Sequence, residues 1–294
     1  MIQLSYEDKR NVRLYYGEYD EDNIDGGQYS YKTLTRINHS PINMPSKIYS
    51  MIGSCNGLIC FSVPRWGTID DHVYICNPVT REYKRLTDKS FERVAVVNGF
   101  GYDPSSNEFK IVRIYLCELV QVYTLGSGSG WRNIGTTNYS LDYYVHPRSP
   151  MGVLVNGALH WLEYRKWRIV AFDLADEEFH VVPSPPCLAV GYTDYMNCFQ
   201  LRKLGRCLCV VHQARSKRVD IWSLKKTKNN TNTCNTKEQE YEESWTWSRE
   251  FSIKWETDFM DEYEPFALTK SGKVLLCSRR KQVQENKNAK GAGK

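Results

Sequence analysis

One short pattern is written twice in this chain. "VYICNPVTREYKRL", Val73 to Leu86, reads as an apolar strand, a polar turn and a second strand carrying an aromatic; "RIVAFDLADEEFHVV", Arg168 to Val182, repeats the plan in different letters. The turn residue (Asn77, Asp173) precedes the aromatic (Tyr83, Phe179) by six positions in both. "NGLICF" at Asn56 to Phe61 and "NGALHW" at Asn156 to Trp161 stand upstream of the two copies. Looser echoes occur at "GFGYDPSSNEFKIV", "VQVYTLGSGSGWRNI" and "RCLCVVHQARSKRVDIWSL". A small unit repeated along a chain cannot bury its apolar face alone, so the copies must stack on one another.

The rest of the sequence agrees in period. Strand candidates run at 11–17, 29–37, 56–62, 72–77, 82–86, 97–102, 109–115, 120–125, 131–134, 152–155, 157–163, 167–173, 178–182, 198–203, 206–212, 218–224, 245–253, 265–269 and 273–278, with turn formers between them. No segment carries a capped amphipathic helical stripe. Aromatics make up 13% of the chain, with 20 Tyr and 8 Trp, which favours β structure. In "NGLICF" and "NGALHW" the glycine suits close approach of an inner strand to its neighbours. Asn77 and Asp173 suit chain reversal, because their side chains bond their own backbone. Tyr83 and Phe179 are expected to pack between units. The chain is therefore expected to be all-β, a single β-propeller-like domain of repeated antiparallel blades. A β-sandwich is the alternative.

Charge and cysteine content exclude several functions. The net charge of +5 lies entirely in Arg279 to Lys294, where six basic residues face one acid; the other 278 residues carry 33 basic and 33 acidic side chains. A neutral body gives no support for phosphate-backbone binding, so nucleic acid is not an expected partner. No apolar run is long enough for a membrane span and the N-terminus lacks a signal-like apolar region, so a cytoplasmic or nuclear protein is expected. Cys55, Cys60, Cys76, Cys207, Cys209 and Cys277 sit in apolar strand runs, where a reduced thiol behaves as a small hydrophobe. No paired C-x-x-C spacing suggests a metal, and no cofactor motif occurs.

Possible catalytic motifs fail on spacing. "GSGSG", Gly126 to Gly130, lacks the Lys of a phosphate loop and the offsets of a nucleophile elbow, leaving a flexible turn before Trp131. "EYDEDNIDGG", Glu18 to Gly27, has Ile24 and Tyr31 where calcium ligands belong and reads as a hairpin loop. His160 and Glu163 in "HWLE" fall on opposite faces of a strand and cannot share a site. No catalytic residue is assigned, and the chain is expected not to be an enzyme.

The ordered set "SCNGLICF", "NPVTREYKRL", "GFGYDPSSNEFKIVRIY", "VQVYTLGSGSGWRNI", "VLVNGALHWL", "IVAFDLADEEFHVVPSPP" and "VDIWSLKK", over Ser54 to Ser278, resembles the F-box-associated interaction domain of plant F-box proteins, kelch-like propeller type. The resemblance implies the substrate-receptor part of an SCF-type E3 ubiquitin ligase. There an F-box docks on Skp1 and the propeller recruits the protein to be ubiquitinated. Residues 1–53 depart from that plan: they are strand-like and acidic and contain no F-box, so Skp1 is a partner only if an F-box is supplied upstream or by another chain. The expected organisation is N-terminal strands at 1–53 completing the propeller, the associated domain at 54–280 with a disordered insertion at 226–243, and a disordered basic tail at 281–294. A client would be held by propeller loops, where exposed aromatic and Arg residues anchor interfaces. Candidates are Arg65 and Trp66 in "VPRWGTIDD", Tyr143, Tyr144 and His146 in "LDYYVHPRSP", and Arg165 with Trp167 in "EYRKWR". The alternative is a small-ligand-binding or enzymatic propeller using a central channel.

Overall fold

Short apolar alternations broken by Asn, Asp and Gly leave the backbone a simple solution, the antiparallel hairpin, and the computed structural model is built of hairpins. It describes residues 2–8, 11–25, 28–36, 50–65, 68–86, 96–115, 118–141, 151–163, 165–189, 198–214, 218–226, 245–254, 262–269 and 272–279. Strands β1 (Ile2–Asp8), β2 (Asn11–Asp25) and β3 (Gln28–Arg36) pair with one another. The first four-stranded sheet holds β4 (Ser50–Cys55), β5 (Leu58–Arg65), β6 (Thr68–Cys76) and β7 (Tyr83–Leu86). The second holds β8 (Val96–Asp103), β9 (Glu108–Tyr115), β10 (Leu119–Thr124) and β11 (Trp131–Thr136). The third holds β12 (Val153–Val155), β13 (Ala158–Glu163), β14 (Arg168–Asp173) and β15 (Phe179–Val182). The fourth holds β16 (Cys198–Leu204), β17 (Cys207–Ala214), β18 (Arg218–Lys226) and β19 (Trp245–Lys254). A pair, β20 (Glu262–Leu268) and β21 (Val274–Arg279), follows.

Each sheet keeps sequence order, and its first strand lies against the first strand of the next: β4 on β8, β8 on β12, β12 on β16, β16 on β20. Gly99 of β8 and Gly152, just before β12, form a parallel bridge. Sheets gathered around neighbouring first strands are the blades of a β-propeller, not the two stacked layers of a sandwich. The core fills the spaces between blades. Ile52, Val73 and Ile75 meet Phe100 and Ile111 between the first and second blades; Val112 and Val122 meet Trp161 and Phe172 between the second and third. Ile169 and Val182 meet Leu208 and Val210 between the third and fourth.

Two glycine roles differ from the sequence expectation. Asn56–Gly57 and Asn156–Gly157 all have positive φ and close two-residue hairpins, with Cys55 opposite Leu58 and Val155 opposite Ala158. This is the primed turn that matches strand twist, so these glycines serve the turn and not a close approach. Close approach occurs at Gly99 and Gly152, where an added Cβ would stand 2.8 and 2.7 Å from Cζ2 of Trp161.

The repeated marker is one turn used three times. Asn77 Oδ1 accepts from the amides of Val79 and Thr80, and Asp173 Oδ1 from those of Ala175 and Asp176. Asp103 takes the amide and hydroxyl of Ser105 on Oδ1 and the hydroxyl of Ser106 on Oδ2. Four residues on, Arg81, Asn107 and Glu177 all have positive φ. Tyr83 departs from the expectation that the aromatic packs. Phe109 stacks on Phe100 and Phe179 meets Phe172 edge-on, whereas Tyr83 is 49% exposed on the outermost strand of its blade.

Asp103 is buried, which opposes ionisation, but bonds from Ser106 and Ser105 and the nearby Lys110 charge outweigh this and hold its carboxyl below the usual range. Its stabilising contribution is complete above the unfolded value, about 3.9, and lost as pH falls through the lower folded value. Asp103→Ala should cost about 1–2 kcal/mol at pH 7 in urea unfolding. The gap to wild type should close as pH falls below about 4; a gap that persists there would refute the assignment.

Several local expectations changed. β1 and β4 were not anticipated, nor was the single helical turn α1 (Pro186–Ala189). The acidic stretch expected as a hairpin loop from Glu18 is mostly strand, since β2 continues to Asp25 with breaks in register around Tyr19. Turn geometry with three positive-φ glycines covers Gly126 to Gly130, as expected. The insertion beyond Lys226 and the basic tail lie outside the described residues. Among the described residues no helix is long and apolar enough to cross a membrane.

Candidate functional site

Successive hairpins of a meander alternate between the two ends of a sheet. The β4–β5, β6–β7, β8–β9, β10–β11, β12–β13, β14–β15, β16–β17 and β18–β19 connections lie at one end, the turn end. The β5–β6, β9–β10, β13–β14 and β17–β18 hairpins share the other, the loop end, with the links between blades. Contacts fit this division. At the turn end Lys110 Nζ donates to the Leu174 carbonyl (2.7 Å) and to Glu177 (3.0 Å), which also accepts from Arg132 (2.7 Å). At the loop end the Thr137 amide donates to the Glu118 carbonyl (2.8 Å) and the Ser140 amide to Glu163 (3.2 Å).

Of the expected contact groups, Arg65, Arg165 and Trp167 are described, and they belong to the loop end. Arg65 ends β5 opposite Thr68, with its side chain outside the described set. Trp66, Tyr143, Tyr144 and His146 lie outside the described residues. Arg165 is exposed in the β13–β14 hairpin beside exposed Lys166. Trp167 is half-buried at φ 50°, its ring edge-on to Phe199 at 5.3 Å, so it props the hairpin from beneath. A second prop is ionic: Glu163, buried, pairs with Arg168, whose guanidinium covers the Tyr139 ring at 4.8 Å. Burying a carboxylate is tolerable only with such partners, and the pair fixes the base of the hairpin.

His160 faces away from Glu163, as alternation requires. It points toward the fourth blade, with Nδ1 at 3.1 Å from the Val153 carbonyl. Burial lowers its pKa to about 4, with the nearby His180 adding to the effect against the Val153 bond. A cavity of about 290 Å³ opens beside it at the turn end, lined by Val155 and Asn156 of the third blade and by Arg206, Leu208, Lys226 and Trp245 of the fourth, among others. Sequence reasoning missed this cavity. Strand parity could have put its fourth-blade residues on one face, but nothing local joins them to Val155 and His160.

The thiols show how burial acts on reactivity. Burial pushes Cys55 and Cys187 up to about 12 and Cys76 and Cys209 up to about 11, the reverse of what a thiolate nucleophile needs. Among the described residues no group of three or more His, Cys, Asp or Glu could hold a metal ion.

The F-box associated beta propeller domain family model matches residues 25–260. The F-box/kelch-repeat protein At3g23880 of Arabidopsis thaliana is 27% identical over 79% of this chain and 60% of its own length. The F-box protein At3g07870 of the same plant is 29% identical over 70% of this chain and 51% of its own. The chain thus spans between half and three-fifths of these relatives. Among solved structures, a chain of the nidogen/laminin complex is similar at a TM-score of 0.41 and 11% identity, over 75% of this chain and 73% of that one. Because the family model matches well over half of its length, the chain belongs to the F-box associated beta propeller domain family.

Proposed function

We propose that the chain is the client-recognition part of an SCF-type ubiquitin-ligase receptor, a non-enzymatic domain that holds a protein for transfer chemistry done by other subunits. The observation that carries this reading is the sorting of hairpins. Seven of the eight turn-end connections are tight, with from two to six residues between strands and β18–β19 the exception, while the links between blades leave and rejoin the strands at the loop end, where Arg65 closes β5 and Arg165 is exposed. Loops on a rigid scaffold are where binding residues concentrate. The paired Glu163 and Arg168 and the ring of Trp167 hold one such hairpin in place, which lowers the ordering cost of binding through it.

The test is affinity capture from plant extract with the chain alone and with an F-box fused upstream, each as wild type and as an Arg165→Glu, Lys166→Glu double variant. A captured protein should be lost about tenfold or more from both double variants, with unchanged thermal unfolding. Recovery of no protein by either wild-type form, or equal recovery by wild type and variant, would sink the reading.

A further inference from the structure

We propose that the free edge of β7, at the rim of the first blade, is a second binding site, which takes an extended acidic peptide as an added strand. Among the described residues β7 is the outermost strand of its sheet, and it meets β6 in unbroken register, with Cys76 opposite Tyr83 and Val73 opposite Leu86. The other outer strands are blunted. The β10–β11 and β18–β19 pairings carry register shifts, and β15 runs from Val182 straight into Pro183. The Asn77 amide donates to the Glu82 carbonyl at 2.9 Å, so antiparallel alternation turns the backbone of Lys84 inward to Ile75 and that of Tyr83 and Arg85 outward. Each outward residue presents one N–H and one C=O, the ladder an added strand needs.

The side chains here are exposed and their charge is one-sided. Val79 at the turn and Tyr83 on the strand are 83% and 49% exposed, two of the three large apolar side chains that stand out from the described surface. Arg81, Lys84 and Arg85 are exposed beside them. Lys84 stands over the Tyr123 ring at 5.7 Å, and among the described residues Arg81 and Arg85 make no ion pair. The one acid of the corner, Glu82, already accepts from the Thr80 hydroxyl at 3.0 Å. Tyr83 and Arg85 share the sheet face of Cys76 and Tyr74, and Lys84 takes the other. An added strand sets one residue against Tyr83 and the next two against Lys84 and Arg85, so the fitting sequence places an apolar residue next to acids. The same cations exclude other occupants. The β7 strand of a second copy, or a basic peptide, would set like charges opposite one another. Charge complementarity selects the acidic strand.

The edge uses none of the loop-end residues, so its failure would leave the client-recognition reading intact. The experiment uses the full chain, a fluorescein-tagged peptide with one valine flanked on both sides by glutamates, and its counterpart with lysines. Binding is followed by fluorescence polarisation and by hydrogen exchange of the Tyr83 and Arg85 amides. The glutamate peptide should bind and slow exchange of those two amides about tenfold or more; the lysine peptide should do neither. An Arg81→Glu, Arg85→Glu double variant should weaken binding about tenfold or more with unchanged thermal unfolding, and added salt should weaken binding to the wild type. No binding of the glutamate peptide, equal binding of the lysine peptide, unaltered affinity in the double variant, or binding without protection of the two amides would overturn the proposal. A dimer of the chain alone that protects the same amides would assign the edge to a second copy and overturn it too.

Discussion

Gly152→Ala is expected to destabilise the propeller by about 3 kcal/mol, lowering the melting temperature by roughly 6–12 °C. The new Cβ would stand 2.7 Å from Cζ2 and 2.9 Å from Cε2 of Trp161, and 3.1 Å from the Cα of Gly99. None of these can yield easily. Trp161 is 1% exposed, wedged among Val112, Leu159 and Phe172, and Gly99 is backbone in the adjoining inner strand. A double-mutant cycle separates this contact from general intolerance. Trp161→Phe removes the offending ring atoms, so Gly152→Ala should cost about 1–2 kcal/mol less in that background. Strict additivity in urea unfolding would show that the indole contact is not the cause.

Acidification should reveal His160. Its pKa of about 4 lies below the value near 6.5 expected in the unfolded chain, so the unfolded state takes up a proton first as pH falls. The stability that neutral His160 contributes is complete above about pH 6.5 and is lost progressively down to about pH 4, on the order of 3 kcal/mol in all and roughly 2 kcal/mol by pH 5. Stopping at pH 5 keeps most of the carboxylate effects out, since Asp103 and Glu177 are both held below their ordinary values. His212, whose pKa burial also lowers, is common to both proteins compared. His160→Gln should have a shallower slope than wild type between pH 7.5 and 5 in urea unfolding. Parallel slopes would mean that His160 is protonated in the fold.

Much of the architecture was legible because its signals are local. An Asx turn is made within five residues, so Asn77 and Asp173 announced themselves, and the looser "DPSSN" echo is the same turn in the second blade. The asparagine–glycine pairs were read as part of a packed strand, yet their positive φ makes them hairpin corners. That misreading and the missed β4 have one cause: "SMIGSC" carries little alternation and became a strand only by pairing with β5. The candidate loop residues were chosen for exposed chemistry. Trp167 shows the limit of that rule, because burial against Phe199 depends on the next blade and not on its own hairpin.

By itself the sequence determined most of the strands, the Asx turns and the repeat, since period-two alternation and side-chain-to-backbone bonding act between residues a few positions apart. Tertiary structure alone decided what meets between blades. It set Gly152 against Trp161 and His160 across from Arg206 and Lys226, and it covered Phe109 and Phe179 while leaving Tyr83 exposed. The reason is that inter-blade contacts join residues far apart in the chain, whose meeting depends on how successive sheets stack. Neither partner's local pattern carries that information.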